Sequence, residues 1–204
     1  MPEKIIQRGA EAIIILNGKN IVKRRVQKSY RLPLLDEKLR SHRTRAEAKL
    51  LEKASKVIPT PKIINVDKNK QEIEMPFIDG KKLSEHLDKF PFDKQKSFCF
   101  LIGQNIAKLH DADIIHGDST TSNMILVGKE VYFIDFGLGF ISQKIEDKAV
   151  DIHLLKQALE AKHFTHWQVL FSEVLKGYSA SKESKKVLEH LKKVEARGRY
   201  KEMY

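Results

Sequence analysis

The sequence has a single cysteine and no long hydrophobic run. Because one thiol cannot close a disulfide within the chain, and because Cys99 stands in an apolar stretch, we expect a buried, unreactive side chain. No apolar run approaches the roughly 18 residues of a membrane span, and the N-terminal residues lack the basic, apolar and small-residue regions of a signal peptide. These absences argue against a disulfide-stapled or membrane-spanning protein and predict a cytoplasmic one.

No internal repeat, low-complexity linker or cluster of cysteine and histidine ligands divides the chain. Its 204 residues, 41% of them hydrophobic, are enough for one large domain or for two small lobes around a cleft. We therefore treat the chain as a single domain.

The net charge of +11 is concentrated in two segments. Residues 19–56 contain 13 lysines and arginines against 4 acidic residues, and residues 182–204 contain 8 against 4. Basic charge that is localised in this way favours the binding of a polyanion. A solvated, lysine-rich helix face would give the same composition in either segment.

The most informative pattern lies in the middle of the chain. Residues 116–123 read HGDSTTSN, and residues 134–137 read IDFG. Asp118, Asn123 and Asp135 thereby supply a carboxylate, an amide oxygen and a second carboxylate at a spacing suited to phosphoryl transfer, which needs positioning and charge neutralisation with Mg²⁺. Either half of the pattern is a weak signal alone, but their joint order and spacing are a strong one.

Two short apolar runs separate the halves of this pattern. Residues 124–127 and 131–134 flank Gly128-Lys129-Glu130, which predicts a β-hairpin with glycine in its turn. Such a hairpin would bring the loop before it and the aspartate after it to the same end of a sheet.

Strand and turn signals dominate the first eighty residues. Asn17-Gly18 between two apolar runs is a strong signal for a hairpin with a type I′ turn, and we expect Gly9 to begin the first strand. Asp36 can cap a helix that the following prolines end. The predicted elements are strands at 10–16, 20–26, 62–67 and 71–78 and one helix at 36–56.

The remainder of the chain has mainly helical periodicity. Gly177 is predicted to separate the last two helices. The predicted helices are 83–88, 93–112, 147–161, 163–176 and 181–197. A β-rich first lobe and a helical second lobe, joined near residue 79, would leave a cleft of the kind in which cofactors bind.

These features resemble the protein kinase fold and, more closely, the small atypical kinase family of p53-related protein kinase and its archaeal counterparts. The resemblance covers essentially the whole chain. Its most specific parts are the HGDSTTSN run, the basic stretch 38–51 and the ending Arg197-Gly198-Arg199. It implies an α+β, two-lobed, protein-kinase-like fold, with a small β-rich N-lobe at 1–78 carrying one helix, a reduced helical C-lobe at 79–196 and a basic tail at 197–204.

The resemblance implies a role for each motif residue. Asp118 would be the catalytic aspartate, which orients the attacking hydroxyl or water. Asn123 and Asp135 would bind Mg²⁺, Lys23 would pair with the α- and β-phosphates of ATP, and Glu47 would hold Lys23 in place. Physical reasoning supports the last pair, because a long lysine side chain needs a carboxylate to fix it and the segment 38–56 contains only one other acid.

Some assignments leave alternatives open. Arg24 and Arg25 are neighbouring candidates for the role of Lys23, and Lys23 itself could be an ordinary surface lysine. The resemblance also implies that the connector between the lobes, around residues 75–78, binds adenine. The loop around Gly9 would cover the phosphates, although it has one glycine where protein kinases have three. These further cofactor-binding residues are Gly9, Ala10, Glu11, Met75, Pro76 and Ile78.

Besides the phosphate-covering loop, the chain departs from typical protein kinases in two further places. Gly117 stands where many carry the arginine that responds to activating phosphorylation, and no Ala-Pro-Glu element follows Gly137. The segment before the next helix is therefore too short for the usual peptide-docking platform. Asp151 in that helix is a candidate anchor for the catalytic loop, or simply an acid in the first helical turn.

The C-terminal residues combine cations with tyrosines, which suits contact with phosphates and bases of RNA. Arg197, Arg199 and Lys201 are the candidates for binding nucleic acid.

The family resemblance implies an ATP-dependent serine/threonine protein kinase or ATPase that uses ATP and Mg²⁺. It also implies a subunit of the KEOPS complex, which makes threonylcarbamoyladenosine in tRNA, with the tRNA-modifying catalytic subunit, other KEOPS subunits and tRNA as partners and no membrane. Two alternatives remain at this point. One is a small-molecule phosphotransferase of the aminoglycoside or choline kinase type, and the other is a non-catalytic tRNA-binding scaffold.

Overall fold

The first lobe is an antiparallel five-stranded sheet with one long helix against it. The computed structural model describes the backbone of residues 4–199 and the side chains of residues 4–197. The strand order is β1-β2-β3-β5-β4. The elements are β1 (Lys4–Arg8), β2 (Ala12–Asn17), β3 (Asn20–Arg25), α1 (Pro33–Ala54), β4 (Asn65–Asp67) and β5 (Glu72–Pro76).

The sheet starts earlier in the chain than predicted, with β1 at Lys4–Arg8. Gly9 does not begin the first strand but lies in the turn between β1 and β2, where its amide donates to the carbonyl oxygen of Ala12 at 2.9 Å. Every residue of β1 is exposed, so no alternation of apolar and polar residues marks the strand. β1 pairs with β2 in an antiparallel register that is interrupted between Ile5 and Gln7.

Two further local predictions need correction. The β2–β3 hairpin forms, but of its central residues Gly18 and Lys19 only Gly18 has a positive φ (+62°), whereas a type I′ turn needs positive φ at both. Helix α1 begins at Pro33, whose missing N–H is tolerated at a helix start. Asp36 therefore does not cap the helix but lies buried in its first turn, paired with Arg40 at 2.6 Å.

The second lobe is mainly helical, with short strands that carry the central motif. Its helices are α2 (Leu83–His86), α3 (Phe92–Asp111), α4 (Ile145–Lys162), α5 (Trp167–Tyr178) and α6 (Ser184–Arg199). Its strands are β6 (Lys81–Lys82), β7 (Ile114–Ile115), β8 (Met124–Val127), β9 (Glu130–Phe133) and β10 (Phe140–Ile141), in sheets β6-β8-β9 and β7-β10. The predicted α+β, two-lobed, kinase-like architecture is confirmed.

Close packing of α3 against α5 forms the centre of this lobe. Gly177 was predicted to end a helix, but it lies within α5. A Cβ added at this position would lie 2.0 Å from the carbonyl oxygen of Phe100. Gly103 of α3 is in the same situation, because a Cβ there would lie 2.0 Å from the carbonyl oxygen of Val174. The two glycines therefore let the helix backbones approach each other. Cys99 is buried in the same core, and its burial raises the pKa of the thiol to about 12.

The variant Gly177→Ala is expected to lower the free energy of unfolding by about 1–3 kcal/mol, because the added methyl group overpacks the α3–α5 contact. Chemical denaturation measures this loss. The control is Lys176→Ala, a neighbouring exposed position on the same helix, which should change stability by less than about 0.5 kcal/mol. Equal midpoints for Gly177→Ala and the wild type would contradict the packing role.

Helix α6 continues through residue 199, so the basic segment predicted to begin at residue 197 starts inside a helix. None of the helices within residues 4–199 combines the length and the apolar composition that crossing a membrane requires.

Candidate active site

A cavity of about 450 Å³ lies between the two lobes. The predicted catalytic, nucleotide-binding and metal-binding residues all line it, although they come from distant parts of the sequence. They are Gly9, Ala10, Glu11, Lys23, Glu47, Met75, Pro76, Ile78, Asp118, Asn123 and Asp135. Apolar side chains that sequence reasoning did not assign to the site complete the wall, among them Ile14, Ile21, Leu51, Phe77 and Ile125.

Lys23 is the central cation of this cavity. It points from β3 between two carboxylates, with Nζ 2.6 Å from Oε1 of Glu47 and 2.7 Å from Oδ1 of Asp135. Burial alone would lower the pKa of Lys23, but the two carboxylates outweigh it and raise the pKa above the usual lysine range. Lys23 is therefore a firmly charged ammonium group.

Glu47 has a second cationic partner that sequence reasoning considered only as an alternative to Lys23. Nη2 of Arg25 lies 2.5 Å from Oε2 of Glu47, so each carboxylate oxygen contacts a different cation of β3. Arg24, between the two cations, instead bonds to Glu72. We refer to Lys23, Arg25, Glu47 and Asp135 as the charge cluster.

Asp135 is held in an unusual backbone conformation at the edge of the charge cluster. Its φ is +61°, a value that few residues other than glycine adopt. The amide of Gly137 donates to Oδ1 at 3.1 Å. Burial would raise the pKa of Asp135, but the charge and hydrogen bond of Lys23 outweigh it and lower the pKa below the usual aspartate range. The side chain is 48% exposed, so its carboxylate remains accessible from the cavity.

Within the loop 116–123, the side chain of Asn123 is hydrogen-bonded directly to Asp118. Nδ2 of Asn123 donates to Oδ2 of Asp118 at 2.8 Å and to the Asp118 carbonyl oxygen at 3.0 Å. The amide nitrogen is thus used within the loop, and Oδ1 is the atom of Asn123 that a cation would contact. Gly117 has a φ of +76°, and a Cβ there would lie 2.4 Å from the carbonyl oxygen of Leu138, which explains why no arginine occupies this position.

Asp151 of α4 anchors the loop 116–123. Its two oxygens accept hydrogen bonds from the amide of Gly117 (2.9 Å), the amide of His116 (3.2 Å), the hydroxyl of Ser119 (3.2 Å) and Nε2 of His110 (3.1 Å). Of the two roles that the sequence left open, the structure shows the loop anchor. Burial opposes ionisation, yet the hydrogen bond and charge of His110 outweigh it and lower the pKa of Asp151.

His116 links the two halves of the motif. The amide of Asp118 donates to Nδ1 of His116 (3.3 Å), so Nε2 carries the proton and donates to the carbonyl oxygen of Ile134 (3.2 Å). The imidazole also packs on Phe136, with the ring centroids 4.6 Å apart. These contacts fix the distance between the loop that carries Asp118 and the strand end that carries Asp135.

A third support of the loop was not predicted. His163, at the end of α4, contacts both oxygens of Asp88 through Nδ1 at 2.9 Å and the Thr121 hydroxyl through Nε2 at 3.0 Å. These three residues are separated by 33 and 42 positions in the sequence, and no local pattern connects them.

The oxygen donors of the cavity have the chemistry that Mg²⁺ prefers. Asp135 offers a carboxylate and Asn123 an amide oxygen, both of them hard ligands that line the cavity. Within residues 4–197, no group of three or more His, Cys, Asp or Glu side chains forms a metal site of its own. Asn123 and Asp135 would therefore hold a magnesium ion together with oxygen ligands from outside the protein, as is usual for this metal.

The basic residues of α1 divide into two groups. Arg40 and Arg43 form ion pairs with Asp36 (2.6 Å) and Glu11 (2.7 Å), whereas Lys38, Arg45, Lys49 and Lys53 are exposed. The second group is the more exposed to a polyanion, although the Arg43 side chain is also 40% exposed. Of the C-terminal candidates, Arg197 contacts Glu146 at 2.6 Å. The side chain of Arg199 and all of Lys201 lie outside the described residues.

Three comparisons place this geometry among known proteins. The model of the family described as "RIO domain" matches residues 18–163. A solved structure, the choline/ethanolamine kinase family protein from Mesorhizobium loti, superposes with a TM-score of 0.62 and covers 89% of this chain and 70% of that one. Its sequence identity is 13%, so it supports the kinase-like fold alone.

Two curated relatives are much more similar in sequence. The KEOPS complex subunit Bud32 of Pyrococcus abyssi is 42% identical, over 98% of this chain and 97% of that protein. A protein of Methanobrevibacter smithii described as "probable bifunctional tRNA threonylcarbamoyladenosine biosynthesis protein" is 43% identical over 98% of this chain, which spans 37% of its length. Given a domain match over most of the chain and identity to Bud32 over nearly all of it, this protein belongs to the RIO domain family and, within it, to the family of the KEOPS complex subunit Bud32.

Proposed function

We propose that the protein is an ATP-dependent phosphotransferase that mainly hydrolyses ATP, as a subunit of a KEOPS complex that supports threonylcarbamoyladenosine modification of tRNA. One observation carries the enzymatic part: Lys23, held between Glu47 and Asp135, lines the same cavity as the Asp118–Asn123 pair. The assembly and its RNA are proposed from the names of the relatives that match nearly the whole chain.

Each residue has a distinct task in this proposal. Asp118 orients the attacking oxygen and accepts its proton, and Asn123 fixes the Asp118 carboxylate through its amide nitrogen. The ammonium group of Lys23 offsets the charge of the α- and β-phosphates. Asn123 and Asp135 would hold magnesium, which supplies further neutralisation of phosphate charge when bound. These contributions are positional and electrostatic, as phosphoryl transfer requires.

The lobe connector is suited to bind adenine. Met75 borders the cavity at the end of β5, and Pro76 can offer a carbonyl oxygen although it has no N–H. The amide of Phe77 already donates to the carbonyl oxygen of Lys19 at 2.9 Å, which leaves the Ile78 amide as the donor that we propose for adenine.

Water is favoured over a protein hydroxyl as the main acceptor. Only residues 138–144 separate Gly137 from the start of α4, and this segment uses Phe140 and Ile141 to pair with β7. It is too short to form a platform for a bound peptide. Phosphorylation of serine, including autophosphorylation, would accordingly be a slow side reaction.

The test follows the γ-phosphate of labelled ATP. We expect most of the label to appear as inorganic phosphate and a small fraction on serine, and we expect release to rise when tRNA and the other KEOPS subunits are present. The Asp118→Ala variant sets the background rate. Release no faster than this background, with and without tRNA and subunits, would favour a non-catalytic scaffold.

Charge reversal of Arg197 and Arg199 to Glu is expected to weaken tRNA binding and to leave adenine-nucleotide binding unchanged. The physical reason is the loss of phosphate contacts, which should also reduce the slope of log affinity against log salt concentration by about 1 for each contact removed. Filter binding or fluorescence anisotropy at several salt concentrations measures both quantities. Unaltered tRNA affinity at low and at moderate salt would contradict this role.

A further inference from the structure

The charge cluster contains one more cation than nucleotide binding by Lys23 requires. Arg25 contacts Oε2 of Glu47, whereas Lys23 contacts Oε1. The side chain of Arg25 is only 5% exposed, that of Lys23 9% and that of Glu47 4%. Charged groups are rarely buried to this extent unless they are paired. A second buried cation on the same carboxylate therefore needs a role of its own.

Strand geometry explains how Arg25 reaches this position. Residues two apart in a strand project from the same face, so Lys23 and Arg25 both face α1, and Arg24 faces away toward Glu72. The Arg25 guanidinium also lines the cavity, and its Nε is buried with no hydrogen-bond partner among the described residues. Arg25 is thus part of the site rather than of the surrounding surface.

The backbone after Asp135 packs against the same guanidinium. A Cβ built on Gly137 would lie 3.4 Å from Nη2 of Arg25, 3.5 Å from Oε2 of Glu47 and 3.0 Å from Oδ1 of Asp135. Arg25 therefore stands where β3, α1 and the segment after Asp135 meet. A change in the position of Arg25 would therefore affect the packing of all three segments.

The charges suggest why two cations are present. The ammonium group of Lys23 already contacts both Glu47 and Asp135. In the proposed function it must also contact the phosphates, and this additional contact weakens its ion pair with Glu47. A guanidinium stays charged and keeps a fixed donor geometry. We propose that Arg25 is a positioning residue that holds Glu47, and with it α1, in place while Lys23 turns toward the nucleotide; this role rests on the proposed function.

The kinetic test compares Arg25→Gln and Arg25→Lys with the control Arg24→Gln. We expect Arg25→Gln to lower kcat of ATP hydrolysis about 10²-fold through displacement of α1, with KM within about threefold of the wild type. Arg25→Lys should recover part of the rate, because lysine keeps the positive charge but lacks the planar, two-pronged donor geometry of the guanidinium group. Arg24→Gln removes the same charge on the opposite face and should retain the wild-type kcat. A raised KM with unchanged kcat would instead mean that Arg25 contacts the phosphates, and would overturn the proposal.

A second measurement does not depend on turnover. Amide hydrogen exchange of residues 44–51 is followed with and without a non-hydrolysable ATP analogue and Mg²⁺. In the wild type we expect these amides to be equally protected with and without the nucleotide analogue. In Arg25→Gln we expect them to exchange faster once the analogue is added. If the glutamine variant does not fold, Arg25→Lys is used in its place. Equal protection in variant and wild type would overturn the role of Arg25. A wild type that binds nucleotide without hydrolysing it would contradict the proposed function alone.

Discussion

Asparagine in place of Asp118 is expected to lower the rate of ATP turnover by about 10²–10⁴, the range that a positioned general base contributes. The variant is nearly isosteric, and its side-chain oxygen can still accept the 2.8 Å hydrogen bond that Nδ2 of Asn123 makes to Asp118. The loop geometry is therefore kept, whereas the carboxylate that would accept the proton is lost. Steady-state release of inorganic phosphate measures the change.

Nucleotide binding separates a chemical role of Asp118 from a structural one. Because Asp118 does not belong to the charge cluster around Lys23, the Kd for ADP with Mg²⁺ should stay within about threefold of the wild-type value, a change of less than about 0.7 kcal/mol. The matched control is Asp93→Asn, which removes a carboxylate that is 91% exposed and pairs with Lys96 on α3. Turnover by Asp118→Asn above about a tenth of the wild-type rate would contradict general-base catalysis.

Three of the residues that sequence reasoning placed in the site belong to a pattern with fixed local spacing. Asp118 and Asn123 lie on a loop and Asp135 follows a hairpin, whose geometry is set by nearby residues, and all three line the same cavity. Lys23 and Glu47 were harder, because a strand lysine and a helix glutamate lie 24 positions apart and meet only when the helix packs on the sheet. The family resemblance, rather than periodicity, supplied that pair.

The missed features depend on tertiary contacts. Apolar periodicity does not show that α1 buries the polar residues Asp36, Thr44 and Glu47. The start of this helix was predicted too late because Asp36 was taken as its cap, whereas the helix begins at Pro33. Gly177 looked like a helix end because glycine is common there, but the close approach of α3 makes it a packing residue. Arg25 alone had a usable signal, since strand alternation puts it on the same face as Lys23.

Removal of Asp151 is expected to have the largest effect on stability. Its carboxylate is buried and accepts the amide hydrogens of His116 and Gly117, the hydroxyl hydrogen of Ser119 and a hydrogen bond from His110. Asp151→Ala leaves these donors buried without a partner, so the free energy of unfolding should fall by about 3–5 kcal/mol. The control Glu160→Ala, an exposed acid on the same helix, should cost less than about 0.5 kcal/mol.

The pH dependence of this difference gives a sharper test than its size at neutral pH. The pKa of Asp151 is lowered in the folded protein, so its stabilisation is fully present above the unfolded-state pKa of about 3.9 and is lost as the pH falls through the folded value. The stability gap between wild type and Asp151→Ala should therefore narrow as the pH falls below about 4. Because the amides of His116 and Gly117 also position Asp118, the folded fraction of the variant should turn over ATP about 10²-fold more slowly. A gap that already narrows between pH 7 and 5 would show that Asp151 is not the ionised anchor, and wild-type turnover by the folded variant would show that the loop keeps its geometry without it.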